Sequence, residues 1–362
     1  MDAQVGSLAE SESEAGASRR RRASSSALAR RLGLRLITAD ALTITRRRCG
    51  RGYAYYMADG SPIRDRAVVR RLNALAVPPA YIDVRHAEDP RGHLQAVGRD
   101  AAGRLQYRYH PEWEKVREAR KAQRLAHLAA ALPRIRRNVT RHLAGCEPTR
   151  EFALSAVIEL VARTAIRPGS ESYARERGTR GAATLLKSNV TVCGDIIELS
   201  FRSKGGKEIQ KAFSAPRLCA AIEMFRRLPG RRLFQFRDQD GTVRPVRARD
   251  VNAFLRAIAG VHISLKDFRT LCASASALDT LARMYPATSE RERRKQVLAA
   301  VRMAAEELHN TAAICRKSYV HETVVSAFEN GVLEDFAEAL RSCRSPARKA
   351  KFLAEIVATT TI

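Results

Sequence analysis

A short stretch near the C-terminus, LHNTAAICRKSYVH (residues 308–321), combines residue types that could do chemistry. It holds Tyr319 directly behind two basic residues and a serine, Asn310 nine positions upstream, two histidines and a cysteine. Such a set fits a metal site, a packed helix with a basic surface, or a nucleophilic tyrosine beside a phosphate. The histidine and cysteine spacing matches no common ligand pattern, which disfavours the metal site. The choice between the other two depends on what the rest of the chain supplies.

Three further cations stand in distinctive local sequences. Arg167 lies in IRPGSESYA, Lys204 in SFRSKGGK and Arg269 in SLKDFRTL. Breaking and rejoining a phosphodiester without a metal needs a nucleophile, cations that hold the negative phosphorane, and a proton donor for the leaving oxygen. Taken singly, each cation also has an ordinary structural explanation, such as an ion pair between Arg269 and Asp267. Only their joint occurrence favours phosphoryl transfer.

The charge of the chain predicts a polyanionic partner. Lys and Arg number 65 against 38 Asp and Glu, a formal net charge of +27. Residues 1–31 hold six Arg and four acids, so 6 − 4 leaves +2 there and +25 for the remainder. A folded body this basic usually binds nucleic acid, because each neutralised phosphate releases condensed counterions.

Composition also bounds the class and compartment of the protein. Hydrophobic residues make up 45% of 362 positions, and no run approaches the roughly 20 apolar residues of a membrane span. The N-terminal residues lack the apolar core of a signal peptide. Seven scattered cysteines without a CxxC pair suit reduced thiols. We therefore expect a cytoplasmic, nucleoid-associated protein.

Local patterns predict an α+β protein with a small β-rich N-terminal module and a larger, mainly α domain with a small β insert. We expect a disordered tail over 1–31, the β-rich module over 32–112, the α-rich domain over 113–330 and a helical tail over 331–362. In the module, Asp59-Gly60 predicts one hairpin, and Asp100–Gly103 joins two further strands.

The larger domain should position the candidate residues at breaks between its elements. The long basic tract after Trp113 is predicted to be helical and broken at Pro133. Residues 151–166 have the periodicity of a buried helix that ends before Arg167-Pro168. Residues 189–213 alternate at period two, which places Lys204 at a hairpin tip.

Several motifs in order resemble the type IB DNA topoisomerases of the bacterial and poxvirus-like group, from about residue 35 to 330. In the N-terminal module the resemblance rests on VPPAYIDVR and GHLQAVGRDAAGRLQYRYH. In the larger domain it rests on TAIRPGSESYA, LPGRRLFQF, DVNAFLR, LKDFRT and NTAAICRKSY. It implies the tyrosine recombinase/topoisomerase IB catalytic fold, and relaxation of supercoiled duplex DNA without ATP, metal or other cofactor.

The resemblance also implies roles for five catalytic residues. Tyr319 matches the nucleophile that takes the 3′-phosphate, and Arg167 and Arg269 match the two arginines at the scissile phosphate. Lys204 matches the hairpin lysine that acts as general acid to the leaving 5′-oxygen. Asn310 matches the donor of a hydrogen bond to a non-bridging oxygen.

The same resemblance implies a DNA-binding set and a mode of action. Its members are Gln106, Tyr107 and Tyr109 in the N-terminal module, and Tyr173 and Lys266 in the larger domain. The family acts as a monomer that clamps duplex DNA, with no obligate protein partner.

Two departures and two alternatives stay open. The family usually has Gly where this chain has Ser203, and Pro where it has Ala312, which puts the rate of reaction in doubt. A tyrosine recombinase uses the same nucleophile, but it usually carries histidine at the position of Lys266. A basic architectural protein that has lost catalysis is the second alternative.

Overall fold

The computed structural model describes residues 26–343 and 345–359. By its contacts the chain divides into two compact units, Met1–Arg120 and Lys121–Ile362. The expected α+β class is confirmed, since the strands of the first unit form the larger sheet and helices dominate the second. Of the expected disordered tail, residues 1–25 lie outside the described residues.

Five antiparallel strands form the sheet of the N-terminal unit in its described part. They are β1 (Leu42–Cys49), β2 (Gly52–Tyr56), β3 (Ile82–Ala87), β4 (Leu94–Arg99) and β5 (Leu105–Tyr109). The order across the sheet is β2-β1-β3-β4-β5, so β2 and β5 are its edges. The turn between β4 and β5 falls at Asp100–Gly103 as expected. The expected turn at Asp59-Gly60 is present, since Tyr56 and Pro62 form an antiparallel bridge across it and Gly60 has a positive φ. The β1–β2 hairpin turns earlier, at Gly50-Arg51, where Gly50 supplies the positive φ.

Two helical segments of this unit differ from the sequence expectations. Residues 26–31, expected within the disordered tail, are helical, and Ala29 is fully buried against Leu34, Trp113 and Val116. The apolar side chains of this segment explain its order. Helix α1 (Arg66–Ala74) was not predicted, although Asp65 caps it by accepting the Ala67 N–H at 2.7 Å.

The second unit begins within helix α2 (Trp113–His142), which continues through Pro133 instead of breaking there. Proline removes one backbone hydrogen bond and costs about 3 kcal/mol in a helix interior. The buried side chains Leu128, Leu132, Ile135 and Val139 stand on both sides of it. Burial of this continuous apolar face offsets the local cost, so the expected break is wrong.

The remaining elements of the second unit surround the candidate residues. The helices are α3 (Arg150–Thr164), α4 (Glu171–Arg177), α5 (Pro216–Arg227), α6 (Ala248–Ala259), α7 (Leu265–Leu281), α8 (Glu290–Glu307), α9 (Ala312–Ser318), α10 (Glu322–Glu329), α11 (Glu334–Ser342) and α12 (Pro346–Thr359). The strands are β6 (Val190–Cys193), β7 (Ile196–Arg202) and β8 (Glu208–Ser214) in one sheet, and β9 (Gln235–Arg237) and β10 (Val243–Pro245) in another.

Two hydrophobic clusters hold this unit together. One cluster centres on α3, which is buried nearly all round rather than along one face. The other joins α7, α8 and α10 with the C-terminal helices through Leu340, Leu353, Ile356 and Val357. The segment expected as a helical tail therefore belongs to the core of the unit. Among the described residues, no helix is both long and apolar enough to span a bilayer.

A buried histidine couples the stability of the N-terminal unit to pH. His86 on β3 is fully buried and meets the Tyr55 ring edge-on, with ring centroids 5.3 Å apart. Burial, with the charges of Arg46 and Arg71, lowers the pKa of His86 from 6.5 to about 4. The folded state therefore holds the neutral ring, whereas the unfolded chain takes up a proton below pH 6.5.

We predict that the free energy of unfolding of this unit falls as the pH drops from 6.5 to about 4. The loss attributable to His86 is about 3 kcal/mol, from the difference between its two pKa values. Trp113 is the one tryptophan of the chain, so its fluorescence during urea unfolding follows this unit. The variant His86→Leu should lose the part of the pH dependence that His86 contributes, while His93 and His110, whose pKa values burial also lowers, keep theirs. His127→Leu, at an exposed histidine, should keep the full pH dependence. An unchanged slope in His86→Leu would contradict the assignment.

Candidate active site

Tyr319 lies at the C-terminal end of the short helix α9. Its backbone N–H donates to the Cys315 carbonyl, and its side chain is 8% exposed within the C-terminal hydrophobic cluster. Thr311 caps the start of α9 by accepting the Ile314 N–H, so Asn310 is not the cap and its side chain is available for another role. The phenol is thus held at a helix end beside a packed core.

Arg269 is a buried cation beside that phenol. It is 2% exposed on α7, and its guanidinium carbon lies 4.8 Å from the centroid of the Tyr319 ring. Its Nη1 donates to the Ala165 carbonyl and its Nη2 to the Leu308 carbonyl at 3.2 Å. Its Nε is buried without a hydrogen-bond partner among the described residues. Two main-chain carbonyls therefore orient the guanidinium while one donor stays unpaired.

The loop after α3 carries Arg167. Ala165 ends α3 in the left-handed conformation, with φ 50°, and turns the chain away from the helix axis. The main-chain carbonyl of Arg167 accepts the Ala182 N–H at 2.8 Å. The side-chain Nη2 of Arg167 donates to Oδ1 of Asn310 at 2.6 Å. This contact joins two residues that are 143 positions apart in the sequence.

The end of α8 explains the position of Asn310. The Asn310 N–H donates to the Ala305 carbonyl and the His309 N–H to the Glu306 carbonyl, the pattern of a Schellman motif. His309 takes the left-handed position with φ 48°, where glycine is usual. The side-chain Nδ2 of Asn310 is buried and has no partner among the described residues. Asn310 accepts from Arg167 on one side and keeps a free donor on the other.

Lys204 lies apart from the other four residues. It is exposed at the turn that joins β7 and β8, with Nζ 6.0 Å from the centroid of the Tyr173 ring. Within the described residues it makes no hydrogen bond to Tyr319, Asn310 or either arginine. Ser203, next to it, is buried and lines the same cavity as Arg167 and Arg269. The hairpin thus reaches the site through Ser203, at the start of its turn, while the neighbouring Lys204 is exposed.

The charges around Tyr319 are mostly positive. Burial raises the pKa of the Tyr319 phenol, but the charges of Arg269, Arg167 and Lys266 outweigh it, so the net pKa lies below 10.0. Burial and the nearby Arg269 lower the pKa of Arg167. Burial and surrounding cations also lower the pKa of His309. Such mutual repulsion is relieved when an anion binds between the cations.

The ordinary explanation for Arg269, an ion pair with Asp267, does not hold. Asp267 accepts from the Ser264 N–H at 2.8 Å and pairs with Arg124 at 3.4 Å. Lys266 is exposed in the first turn of α7. Asp267 therefore caps its own helix, and Arg269 forms no ion pair within residues 26–343 and 345–359.

The histidines and cysteine that first suggested a metal have structural partners. His321 accepts the Thr323 N–H and caps α10, and Cys315 is fully buried in α9. Within residues 26–343 and 345–359, no three His, Cys, Asp or Glu side chains group closely enough to hold a metal ion.

The other DNA-binding candidates lie in the N-terminal unit, on the edge strand β5. Tyr107 and Tyr109 are 46% and 41% exposed and stack on each other, with ring centroids 6.2 Å apart. Gln106 donates to Asp100 at 2.9 Å within the same turn. The two tyrosines form an exposed aromatic face, whereas Gln106 is engaged in its own hairpin.

Sequence reasoning missed two residues that hold the site. Ser274 on α7 is fully buried; its hydroxyl donates to the Tyr319 carbonyl at 3.1 Å and accepts the His321 N–H at 3.0 Å. Gly181 supports the Arg167 loop, since a Cβ there would lie 2.5 Å from the Gly169 nitrogen and 2.6 Å from the Arg167 carbonyl. A serine inside an apolar helix and a lone glycine carry little signal without the fold.

Comparison with known proteins gives two family matches and one relative. A family described as the catalytic core of eukaryotic DNA topoisomerase I matches residues 110–344. A family described as the N-terminal domain of bacterial DNA topoisomerase IB matches residues 52–100. The sequence is also 29% identical over 294 residues to a DNA topoisomerase 1B of Acanthamoeba polyphaga mimivirus, covering 79% of this chain and 88% of that protein.

We predict that Gly181→Ala destabilises the second unit by about 1–3 kcal/mol, the range for overpacking against atoms that cannot move aside. The added methyl meets the backbone of Arg167 and Gly169, so the Arg167 loop must shift. Urea unfolding followed by far-UV circular dichroism measures the change. Gly52→Ala is the matched control, because a Cβ at Gly52 meets nothing within 4 Å. Equal stability of the two variants would contradict the close approach.

Proposed function

We propose, from the premise that this chain belongs to the type IB DNA topoisomerase family, that it relaxes supercoiled duplex DNA through a transient 3′-phosphotyrosyl bond at Tyr319. The chain is a type I DNA topoisomerase and DNA is its substrate. The assignment of Tyr319 and of the residues around it is the proposal.

The proposed cleavage step is a transesterification. The Tyr319 phenol loses its proton to solvent, and its oxygen forms a bond to the scissile phosphorus. The bond between phosphorus and the 5′-oxygen breaks, and that oxygen takes a proton from Lys204. Religation reverses each transfer and restores both protons. The positive surroundings that lower the pKa of Tyr319 favour the developing phenolate.

One observation carries the proposal: two buried donors of the candidate catalytic residues have no partner among the described residues. They are Nε of Arg269 and Nδ2 of Asn310, and the Arg167 guanidinium touches Asn310. Buried donors are rarely left unsatisfied, so this pair indicates an acceptor that binds during function. Non-bridging oxygens of a phosphate supply such acceptors, and guanidinium groups bind two of them at once.

Energy conservation supports independence of ATP. The phosphotyrosine is a phosphodiester like the bond it replaces, so religation is nearly isoenergetic with cleavage. Cations already surround the phosphate site, and they supply the charge stabilisation that a metal would otherwise provide. We therefore propose that neither ATP nor a divalent metal is required.

The proposed contacts with the duplex extend beyond the scissile phosphate. Lys266 is exposed beside the site, and Tyr173 lies between Lys204 and Arg177, whose guanidinium carbon is 5.3 Å from its ring centroid. Tyr107 and Tyr109 offer exposed aromatic surface on an edge strand. We propose Lys266 and Tyr173 as backbone contacts and the β5 tyrosines as groove contacts, with Gln106 freed from Asp100 on binding.

The alternatives predict different behaviour. A recombinase would need paired specific sites and synapsis, whereas we propose that this enzyme acts as a monomer on a single duplex. An architectural protein would bind DNA without forming a covalent bond to it. The unpaired donors of Arg269 and Asn310 favour a phosphate held close to a tyrosine, an arrangement that an architectural protein would not need.

We predict that the purified protein relaxes negatively supercoiled plasmid in EDTA without ATP, and that Tyr319→Phe abolishes this because it removes the nucleophilic oxygen. Agarose electrophoresis of topoisomers measures relaxation, and denaturing gels detect the protein–DNA adduct. Tyr285→Phe is the matched control, since Tyr285 is 71% exposed and the same hydroxyl is lost. Relaxation that requires magnesium or ATP, or that survives in Tyr319→Phe, would overturn the mechanism.

We predict that Ser274→Ala slows single-turnover cleavage by about 10-fold while DNA affinity stays near wild type. The substitution removes the two hydrogen bonds by which Ser274 holds the Tyr319 carbonyl and the His321 N–H in a buried site, a cost of about 1–3 kcal/mol, and loosens the backbone of the nucleophile. Quenched-flow formation of the covalent adduct measures the rate. Ser276→Ala, two residues away on α7, should cleave normally. Equal rates in both variants would show that Ser274 does not position Tyr319.

A further inference from the structure

The end of α8 collects cations from three separate elements. Lys211 on β8 donates from Nζ to the Glu307 carbonyl at 2.8 Å. The next carbonyl, that of Leu308, accepts from Arg269, and Asn310 accepts from Arg167. Residues 307–310 therefore accept hydrogen bonds from a cation of the β7–β8 hairpin, one of α7 and one of the loop after α3.

Lys211 is placed to hold the hairpin that carries Lys204. It pairs with Leu199 across β7 and β8, between the turn at Lys204–Gly206 and the far end of the strands. Glu307 is the last residue of α8, where the helix dipole presents its negative end. A half-buried ammonium is stabilised there by the carbonyl, so the strand is fastened to the segment that leads to Asn310.

The tip of the hairpin needs such a fastening. Gly205 and Gly206 both have positive φ, and Lys204 is exposed with no hydrogen bond to the other candidate residues in the described part of the chain. A general acid must reach within hydrogen-bond distance of the oxygen that it protonates. A mobile tip reaches that position reproducibly only if the strands beneath it are fixed.

We propose that Lys211 is a positioning residue for the proton donor: its bond to the Glu307 carbonyl sets the hairpin so that Lys204 meets the leaving 5′-oxygen. Lys211 does not itself touch the reacting atoms. This inference rests on the proposed function of Lys204 as general acid.

A sulfur substitution separates this role from a general structural one. A thiolate leaves without protonation, because a thiol has a pKa of about 8.5 whereas water has one of about 15.7. Two duplexes with one mapped cleavage site are compared in single-turnover assays. One carries the natural 5′-oxygen at the scissile bond, and the other carries a bridging 5′-sulfur.

General-acid catalysis contributes about 10²–10⁴-fold, so Lys204→Ala should lose that much on the oxygen substrate and Lys211→Met about 10-fold or more. On the sulfur substrate both variants should cleave at close to the wild-type rate. Lys211→Arg keeps the charged donor and should restore part of the rate with oxygen. Lys351→Met, at an exposed lysine of α12, removes the same charge and should cleave both substrates normally.

The outcomes are distinct. If Lys211→Met is equally slow with oxygen and sulfur, or is not slow with oxygen, the positioning role is overturned. If Lys204→Ala stays slow with sulfur, the proposed function of Lys204 fails whatever Lys211 does. If Lys211→Met does not fold, as judged by circular dichroism, Lys211→Gln gives the same comparison with a neutral donor in place of the ammonium.

Discussion

The arrangement of the candidate site depends on Arg269, a guanidinium that is buried without an ion pair among the described residues. A guanidinium at 2% exposure is costly unless its donors are satisfied. The protein satisfies two of them with the carbonyls of Ala165 and Leu308 rather than with a carboxylate. A carbonyl orients the group but carries no net charge, so the positive charge stays available. The nearest acid on the same helix, Asp267, is held by the helix start and by Arg124.

This arrangement explains why the site is built where helices end. Only at its end does a helix expose carbonyls that are not used by its own hydrogen bonds. Ala165 ends α3 and Leu308 ends α8, and both ends turn through a left-handed residue that is not glycine. The turn after Leu308 fixes Asn310, and the turn at Ala165 fixes Arg167. The ends of α3 and α8 thus supply both the carbonyls that accept hydrogen bonds from Arg269 and the adjoining turns that carry Arg167 and Asn310.

The sequence predicted the local breaks that carry the candidate residues better than the contacts that support them. Proline after Arg167 and the Gly pair after Lys204 mark a helix end and a turn by local chemistry, and both were predicted correctly. Pro133 misled, because tertiary burial on both sides of it outweighs a local helix break. Ser274 and Lys211 were missed because each bonds a main-chain group more than 40 positions away, and such contacts leave no pattern in the sequence. The identity of the chemical groups can be predicted from local sequence, whereas their orientation depends on long-range packing and cannot.

The same distinction explains Ser203 and Ala312, two of the positions at which this chain departs from the family pattern. Ser203 has extended backbone, with φ −102°, which any residue adopts, while Gly205 and Gly206 carry the positive φ angles of the turn. Glycine is therefore not required at 203 by the backbone. Ala312 is the first residue of α9, the position at which proline is tolerated but supplies no hydrogen bond. Alanine at this position adds a backbone N–H that proline lacks, and the first residue of a helix makes no intrahelical hydrogen bond through that group. At both positions the backbone conformation does not depend on the residue type, and neither departure removes a side chain of the candidate site.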